Sequence, residues 1–288
     1  ERAMSGRAFV GLMADQIAAA RRDYAGIVAP GFFRRVLPWA FSALVLAYLG
    51  WLWVKFGLSP EALWKGASRL GAFVVAMLPP DPGPYAWDFL KSTGETLGMA
   101  FLGTLFATII AFPLAYAGAS NVVGNPVLHF VVRRVFDMFR GIPALIWALV
   151  FVASFGLGPM AGVLALMMSD FAALAKLGAE AIENADRKPI EGLTSTGASR
   201  LQVLRFGLIP QVLPVQISQA LYFFESNVRS AAVLGIVGAG GIGYYLSDLS
   251  RNNHWDMVSF ILIVFLVLVA VIDAVSKRLR TLIAGDRK

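Results

Sequence analysis

The sequence has no cysteine and only two histidines among its 288 residues. The lack of cysteine excludes disulfides, CxxC redox pairs and thiolate metal sites. An HExxH pattern is also missing, and His129 and His254 are far apart in sequence, so we expect neither a metal site nor a cofactor. There is no GxxxxGK[ST] phosphate-binding loop, so we expect any ATP hydrolysis to be the work of another protein.

Charge is scarce as well: charged residues are 15% of the chain and apolar residues 58%. Soluble domains average roughly 25% and 45–50%, so this composition indicates an integral membrane protein, and its long apolar runs favour an all-α fold. Several apolar runs approach the roughly 20 residues that cross a bilayer. The runs predict six spans, at residues 38–55, 96–117, 142–157, 159–177, 212–236 and 257–276.

Lys and Arg residues fix the predicted orientation, because cytoplasmic segments retain basic residues. Most of the 25 lie before the first span, in the loops after the second and fourth spans, or in the tail. We therefore expect both termini to be cytoplasmic, and the net charge of +7 to reflect topology and contact with anionic lipid rather than nucleic acid. Residues 9–29 are predicted to form a helix on the membrane surface, with a mobile tail as the alternative.

The polar loop from Glu191 to Pro210 carries a spaced signature, EGLTSTGASRLQVLRFGLIP. It resembles the EAA loop of bacterial ABC importer permeases, which reads Glu-Ala-Ala, three residues, Gly, nine residues, then a hydrophobic segment ending in Pro. Gly192 and Leu193 replace the two alanines, and Gly207 replaces the usual Ile. A glycine between two short amphipathic stretches permits a sharp reversal. The resemblance implies coupling to an ATPase through Glu191, Gly197, Ala198 and Pro210.

A second resemblance lies in the fifth span, FESNVRSAAVLGIVGAGGIGYYL, which is similar to phosphonate-type permeases. The matching positions include Glu225, Asn227, Arg229, Leu234 and Gly235. Further matches surround Arg140 and the segments 156–159, 180–184 and 197–203, so the resemblance covers roughly residues 90–280. It implies the type I importer permease fold.

An unpaired charge at the bilayer centre costs about 2.5–3.5 kcal/mol, so we expect Asp170, Glu225 and Arg229 to face the bundle interior. Glu225 and Arg229 are four residues apart on one helical face and are able to pair. The pair either presents Arg229 to an anionic substrate or only stiffens the helix. Asp170, where the similar permeases more often have His, is a partner for Arg229, a pore-lining group, or a sign that its span starts later. Arg140 and Asn227 complete the polar residues that we assign to the pore or gate.

The glycines that follow spell GxGxxG at Gly238, Gly240 and Gly243, but a dinucleotide fingerprint requires a βαβ unit. Here they end an apolar helix at the predicted outer face. Small residues allow helices to approach closely, and their density also suits a gate. We favour a gate combined with dimer packing, formed by Gly235, Gly238, Gly240, Gly241 and Gly243.

The resemblance implies a homodimer of permease chains in the bacterial inner membrane, two ATP-binding subunits and an extracytoplasmic substrate-binding protein. It favours phosphonate, phosphite or phosphate as substrate, with methionine or taurine as alternatives, and a stand-alone channel or carrier as the other class. The predicted layout is a cytoplasmic segment (1–36), a first span with an outer segment (37–90), a permease core (91–280) with its coupling loop at 180–210, and a tail (281–288). Residues 56–93 are a docking surface for the binding protein, or a lipid-lying helix plus linker.

Overall fold

The computed structural model describes residues 32–57 and 59–284, together with the isolated positions 16 and 19. Every regular element in this part of the chain is helical. The predicted surface helix over residues 9–29 lies outside it, apart from positions 16 and 19. The chain divides into two units, residues 1–72 and 73–288.

The first unit contains the apolar helix α1 (Phe32–Lys55) and most of α2 (Pro60–Ala76). Gly57, with φ of 63°, turns the chain between them, and the Ser59 hydroxyl accepts a hydrogen bond from the Ala62 amide at 3.1 Å at the start of α2.

The second unit holds the remaining helices. They are α3 (Ala86–Gly118), α4 (Pro126–Arg140), α5 (Ala144–Phe155), α6 (Pro159–Glu183), α7 (Arg187–Ser195), α8 (Ile209–Leu234), α9 (Ile242–Arg251) and α10 (Trp255–Ala284). A helical turn at Arg200–Gln202 and a π-helical turn at Val203–Leu208 precede α8, and a second π-helical turn, Gly235–Ala239, follows it.

Within the described ranges, four helical segments are long and apolar enough to cross a membrane: Val36–Lys55, Gly83–Gly118, Pro159–Glu183 and Trp255–Ile283. Two bent pairs bring the number to six if each pair is one span. The pair α4 and α5 bends by 78°, where Gly141 and Pro143 interrupt the helix, and the chain from Arg200 to Ala239 bends by 59° into α9. The predicted third span is therefore only the second arm of a broken pair. Its apolar helix has 12 residues.

The core of the second unit forms where α3 packs against α6 through small residues. A Cβ atom added to Gly103 would lie 2.7 Å from the Leu166 Cβ atom, so the two backbones approach as closely as glycine allows. Such close approach is a common way for membrane helices to associate. The buried alanines of this interface recur at helical spacing: Ala100, Ala107, Ala111 and Ala115 on α3, and Ala161, Ala165, Ala172, Ala175 and Ala179 on α6.

Candidate functional site

The predicted coupling loop begins with the helix α7, which ends at Ser195, and the chain reverses at Gly197. Asp186 caps the start of α7 by accepting a hydrogen bond from the Lys188 amide at 3.0 Å. At the other end, the Gly197 amide donates to the Thr194 carbonyl (3.0 Å) and the Ala198 amide donates to the Leu193 carbonyl (3.3 Å). These two bonds, with φ of 79° at Gly197, form a Schellman motif. Gly197 is therefore required for its left-handed backbone, which an L side chain adopts at a cost of about 1–2 kcal/mol.

Helical structure resumes immediately after the reversal, at Arg200. Ser199 and Gln202 form a capping box, in which the Ser199 amide donates to the Gln202 side chain at 2.8 Å. The π-helical turn then leads into α8, where Pro210 occupies the first turn and needs no amide partner there. The reversal predicted from the glycine is present.

Gln211 holds the two ends of the loop together. Its side-chain oxygen accepts from the Asp186 amide at 3.0 Å, and its side-chain nitrogen donates to the carbonyls of Asp186 (3.2 Å) and Gly207 (2.7 Å). The start of α7 is thereby fixed to the start of α8. The loop is a closed hairpin on a hydrogen-bonded base.

Two of the three departures from the EAA pattern, Leu193 and Gly207, lie next to each other. A Cβ atom on Gly207 would lie 3.1 Å from Leu193 Cδ1 and 3.6 Å from Ile190 Cγ1. The similar permeases have a small residue where this chain has Leu193, and a large one where it has Gly207. This chain therefore exchanges the sizes at the two positions, and the Leu193 side chain lies where a residue larger than glycine at position 207 would project.

The tip of the hairpin is exposed. Glu191, Gly192 and Gly197 are all exposed, and no atom lies within 4 Å of a Cβ added at either glycine. Beside the tip is a cavity of about 460 Å³, whose lining includes Thr194, Ala198, Arg200, Leu204 and Asn121. The hairpin thus presents a free polar surface.

Glu183, the last residue of α6, anchors the hairpin to the rest of the unit. One carboxylate oxygen accepts from the Ser120 amide at 2.8 Å, and the other accepts from Arg133 Nη2 at 2.8 Å. His129 Nε2 lies 3.7 Å from the first oxygen, and Arg133 also lies 3.7 Å from Glu180. The connection between α3 and α4, and α4 itself, therefore meet at Glu183, four positions before the first residue of α7.

Asp170 pairs with Asn227 and not with Arg229. The Asn227 side-chain nitrogen donates to an Asp170 carboxylate oxygen and, at 2.8 Å, to the Thr104 hydroxyl. All three residues are buried, with exposed fractions of 7% for Asp170, 4% for Asn227 and 5% for Thr104. The cluster joins α3, α6 and α8 inside the bundle, so of the alternatives for Asp170 the partnership with Arg229 is excluded in this structure.

Glu225 and Arg229 do pair, but within a larger network. Glu225 lies 3.6 Å from Arg229 and accepts a shorter hydrogen bond, 2.7 Å, from Arg280 on α10. Arg229 in turn donates to Asp273 at 3.3 Å. The four charges sum to zero. The side chains of Arg229 and Asp273 are each 45% exposed in this single chain, whereas that of Glu225 is 15% exposed.

Arg140, the remaining charged residue assigned to the pore, ends α4 on the exposed side. Among the described residues it shares no hydrogen bond or ion pair with either polar group. The structure does not join it to the other predicted site residues.

The glycine run closes the top of α8 within one chain. A Cβ atom on Gly235 would lie 2.5 Å from the Gly240 carbonyl oxygen, and one on Gly243 would overlap the Ala232 carbonyl. Gly238, Gly240 and Gly241 have φ of 96°, 82° and 70°, and the Ile242 amide that follows donates to the Thr96 hydroxyl at 2.8 Å. The glycines therefore allow α9 to fold back against α8. Intramolecular packing accounts for Gly235 and Gly243.

Several of these hydrogen-bond and ion-pair partners were not among the residues predicted from the sequence. The capping box at Ser199 and Gln202 has a readable spacing and was available in the sequence. Asp273 lies 44 residues from Arg229, and Arg280 lies 55 residues from Glu225. In the sequence they are distinguished only by their positions, Asp273 inside an apolar segment and Arg280 just after it. Thr104 and Gln211 carry no signal in the sequence that separates them from other polar residues.

Comparison with known proteins agrees with this geometry. Residues 103–285 match the family described as "Binding-protein-dependent transport system inner membrane component". The chain is 44% identical over 255 residues (88% of this chain, 90% of the relative) to the "Putative phosphite transport system permease protein HtxC" of Stutzerimonas stutzeri. It is 35% identical over 240 residues (83% and 86%) to the "Phosphite transport system permease protein PtxC" of the same organism.

Among solved structures, a chain of the MetNI methionine ABC transporter in an inward-facing conformation superposes with a TM-score of 0.60 at 23% identity. The match covers 70% of this chain and 99% of that one, so the likeness shows a shared fold. The match of the family to most of the second unit and the two phosphite permease relatives lead to one conclusion. The chain belongs to the family of binding-protein-dependent transport system inner membrane components.

Proposed function

We propose that this chain is the membrane-spanning subunit of an ATP-driven importer for phosphite or a related phosphorus oxyanion, phosphonate or phosphate. The exposed hairpin that turns at Gly197 carries the importer assignment, because it presents a polar tip for a partner on a base fixed by Gln211. The substrate class is supported by the two relatives named as phosphite permeases.

In this proposal, ATP hydrolysis takes place in a separate subunit that docks on the hairpin, at the cytoplasmic face together with both termini. Two copies of each subunit form the importer. Closure of the ATP-binding subunits displaces the hairpins and rocks the permease chains between inward-open and outward-open states. Glu183 transmits this displacement, because it links α6 to α4 and to the end of α3 just before α7 begins.

The charges on the flank of the second unit support a second permease chain beside this one, which we take to be an identical copy. Arg229 and Asp273 form an ion pair whose side chains are each 45% exposed on span helices α8 and α10. Exposure of such a pair to hydrocarbon is unfavourable, although by less than the sum for two unpaired charges. A second chain, with a water-filled path between the two copies, removes that cost. We therefore propose that α8 and α10 face the pathway.

The charge balance of the network suits transit better than tight binding. Arg229 is already neutralised by Glu225 and Asp273, so a passing oxyanion competes with Asp273 for the guanidinium group. Weak, exchangeable contacts allow a solute to enter a path and leave it again. Selectivity then rests mainly on the extracytoplasmic binding protein.

The test is reconstitution of the chain in proteoliposomes with its ATP-binding subunit and binding protein, followed by uptake of radiolabelled phosphite. We expect ATP-dependent accumulation that phosphonate or phosphate inhibits and methionine does not. Uptake of methionine or taurine that is insensitive to phosphorus oxyanions would overturn the substrate assignment. Accumulation by vesicles without the ATP-binding subunit would favour a carrier.

An Arg229→Lys variant tests contact between Arg229 and the substrate. Lysine keeps the charge but loses the planar fork that recognises oxyanions, so we expect a higher half-saturating concentration for substrate-stimulated ATPase activity. Arg280→Lys, in the same network, is the matched control. Equal effects of the two variants, or none, would show that Arg229 serves only the ion-pair network.

A further inference from the structure

Helix α2 has two faces of opposite character. Its polar residues, Glu61, Lys65, Ser68 and Arg69, fall in one stripe about 100° wide on a helix of 3.6 residues per turn. The rest of the surface is apolar and exposed, with exposed fractions of 54% for Leu63, 78% for Trp64, 64% for Leu70, 49% for Val74 and 70% for Val75. No residue of α2 is buried.

Neither bulk water nor a transmembrane position suits such a helix. A continuous apolar surface of this size is rarely left exposed to water. A transmembrane position would place Glu61, Lys65 and Arg69 in hydrocarbon at about 2.5–3.5 kcal/mol each. Its 17 residues span only about 25 Å, less than the roughly 30 Å of the hydrocarbon layer. A wide apolar face beside a charged stripe is typical of a helix in the membrane interface.

Both ends of α2 adjoin residues that mark a membrane boundary. At one end, α1 finishes with Trp51, Trp53 and Lys55, and the Lys55 ammonium lies 4.5 Å from the centre of the Trp51 ring. Tryptophan and lysine concentrate at this level of transmembrane helices. Only residues 56–59 separate them from α2. At the other end, the Phe73 ring packs edge-on against Trp255, the first residue of the apolar helix α10, with ring centres 4.4 Å apart.

We infer that α2 lies in the plane of the bilayer at the end of α1, with its apolar face in the lipid and its charged stripe among the headgroups. Its partner is therefore a phospholipid surface. Of the two alternatives for residues 56–93, the inference favours the lipid-lying helix for the part that α2 occupies. The apolar face of α2 is then covered by lipid and does not serve as a docking surface for the binding protein. The inference does not depend on the identity of the transported solute.

The native sequence lacks cysteine, so each cysteine substitution introduces the single thiol of the chain. Full-length variants with cysteine at each position from 61 to 75 are labelled with a nitroxide and placed in phospholipid vesicles. Electron paramagnetic resonance then measures collisions with oxygen, which concentrates in hydrocarbon, and with a water-soluble nickel chelate. We expect oxygen maxima at Leu63, Leu70 and Val74, nickel maxima at Glu61 and Lys65, and a period of 3.6 residues with the two profiles in opposite phase.

Two other patterns would overturn the inference. High nickel accessibility at every position would indicate a helix in water, free to dock a soluble protein. Low accessibility to both reagents at Leu63, Leu70 and Val74 would indicate burial against protein.

A second measurement needs no label. The fluorescence of Trp64 is obtained as the difference between wild type and the Trp64→Phe variant, and lipid brominated near the headgroup should quench it more than lipid brominated near the bilayer centre. Equal quenching by the two lipids, or quenching by neither of them, would also contradict the inference. These readouts require neither ATP nor substrate, so they stand or fall separately from the proposed function.

Discussion

Replacement of Gly197 tests whether the shape of the hairpin tip couples the permease to its ATP-binding subunit. No atom lies within 4 Å of a Cβ atom at this position, so substitution causes no clash and its effect comes only from the backbone, with φ of 79°. For alanine the left-handed conformation costs about 1–2 kcal/mol. Since 1.4 kcal/mol is a factor of ten, the variant should populate the docking-competent tip about 5- to 30-fold less relative to other conformations.

A series of substitutions separates this effect from general damage. Asparagine tolerates the left-handed region and should have the mildest effect, alanine an intermediate one, and valine, which is β-branched, the largest. Gly192→Ala is the matched control, because Gly192 is equally exposed in the same hairpin, has open space around it and lies within α7. Alanine there favours the helix by up to about 1 kcal/mol.

The assays are the affinity of the ATP-binding subunit for the permease in nanodiscs and ATP-dependent uptake in proteoliposomes. We expect both to fall in the order Asn, Ala, Val, while the Gly192→Ala variant and the amount of inserted protein remain at wild-type levels. Loss of uptake with unchanged affinity would place the role of Gly197 after docking. Equal behaviour of Gly197→Ala and Gly192→Ala would refute the reasoning.

Three further predictions follow from the packing and the ion pairs. Gly207→Ile should overpack the hairpin and destabilise it by about 1–3 kcal/mol, and adding Leu193→Ala should restore most of the loss. An unfolding temperature of the double variant no higher than that of Gly207→Ile would contradict the exchange of sizes. Glu183→Gln should weaken coupling more than folding, because the hydrogen bond that it accepts from Arg133 becomes weaker by about 1–2 kcal/mol. The amount of solute taken up per ATP hydrolysed should fall, and an unchanged ratio would show that Glu183 does not transmit the movement of the hairpin. Asp170→Leu should destabilise the chain by about 1–3 kcal/mol because Asn227 loses a buried acceptor, whereas Asp170→Asn keeps one; equal melting temperatures for the two variants would argue against that bond.

Local features were predictable from the sequence because neighbouring residues determine them. The reversal at Gly197 follows from one residue that tolerates a positive φ between two short helices, and the Glu225–Arg229 pair follows from helical spacing. The family followed from several motifs in the correct order. Each of these depends on short-range geometry.

Long-range partners could not be predicted in the same way. Asp170 contacts Asn227, 57 residues away, because α6 and α8 meet at that depth, and no spacing rule encodes the meeting. Arg229 turns towards α10 for a similar reason, since Asp273 is placed by the packing of a later helix. The break between α4 and α5 was masked by the apolar run, although Gly141 and Pro143 interrupt it. Hydropathy measures length and polarity, and it does not report bends.

In the proposed importer, the hairpin lies on the side of the membrane where the ATP-binding subunit docks. Thr196, exposed at the tip, can be replaced by cysteine as the single thiol of this chain and treated with a membrane-impermeant maleimide. We expect labelling in inside-out vesicles, none in intact spheroplasts, and protection when the ATP-binding subunit is added. Labelling from the outside of spheroplasts, or labelling that the ATP-binding subunit leaves unchanged, would contradict the central claim.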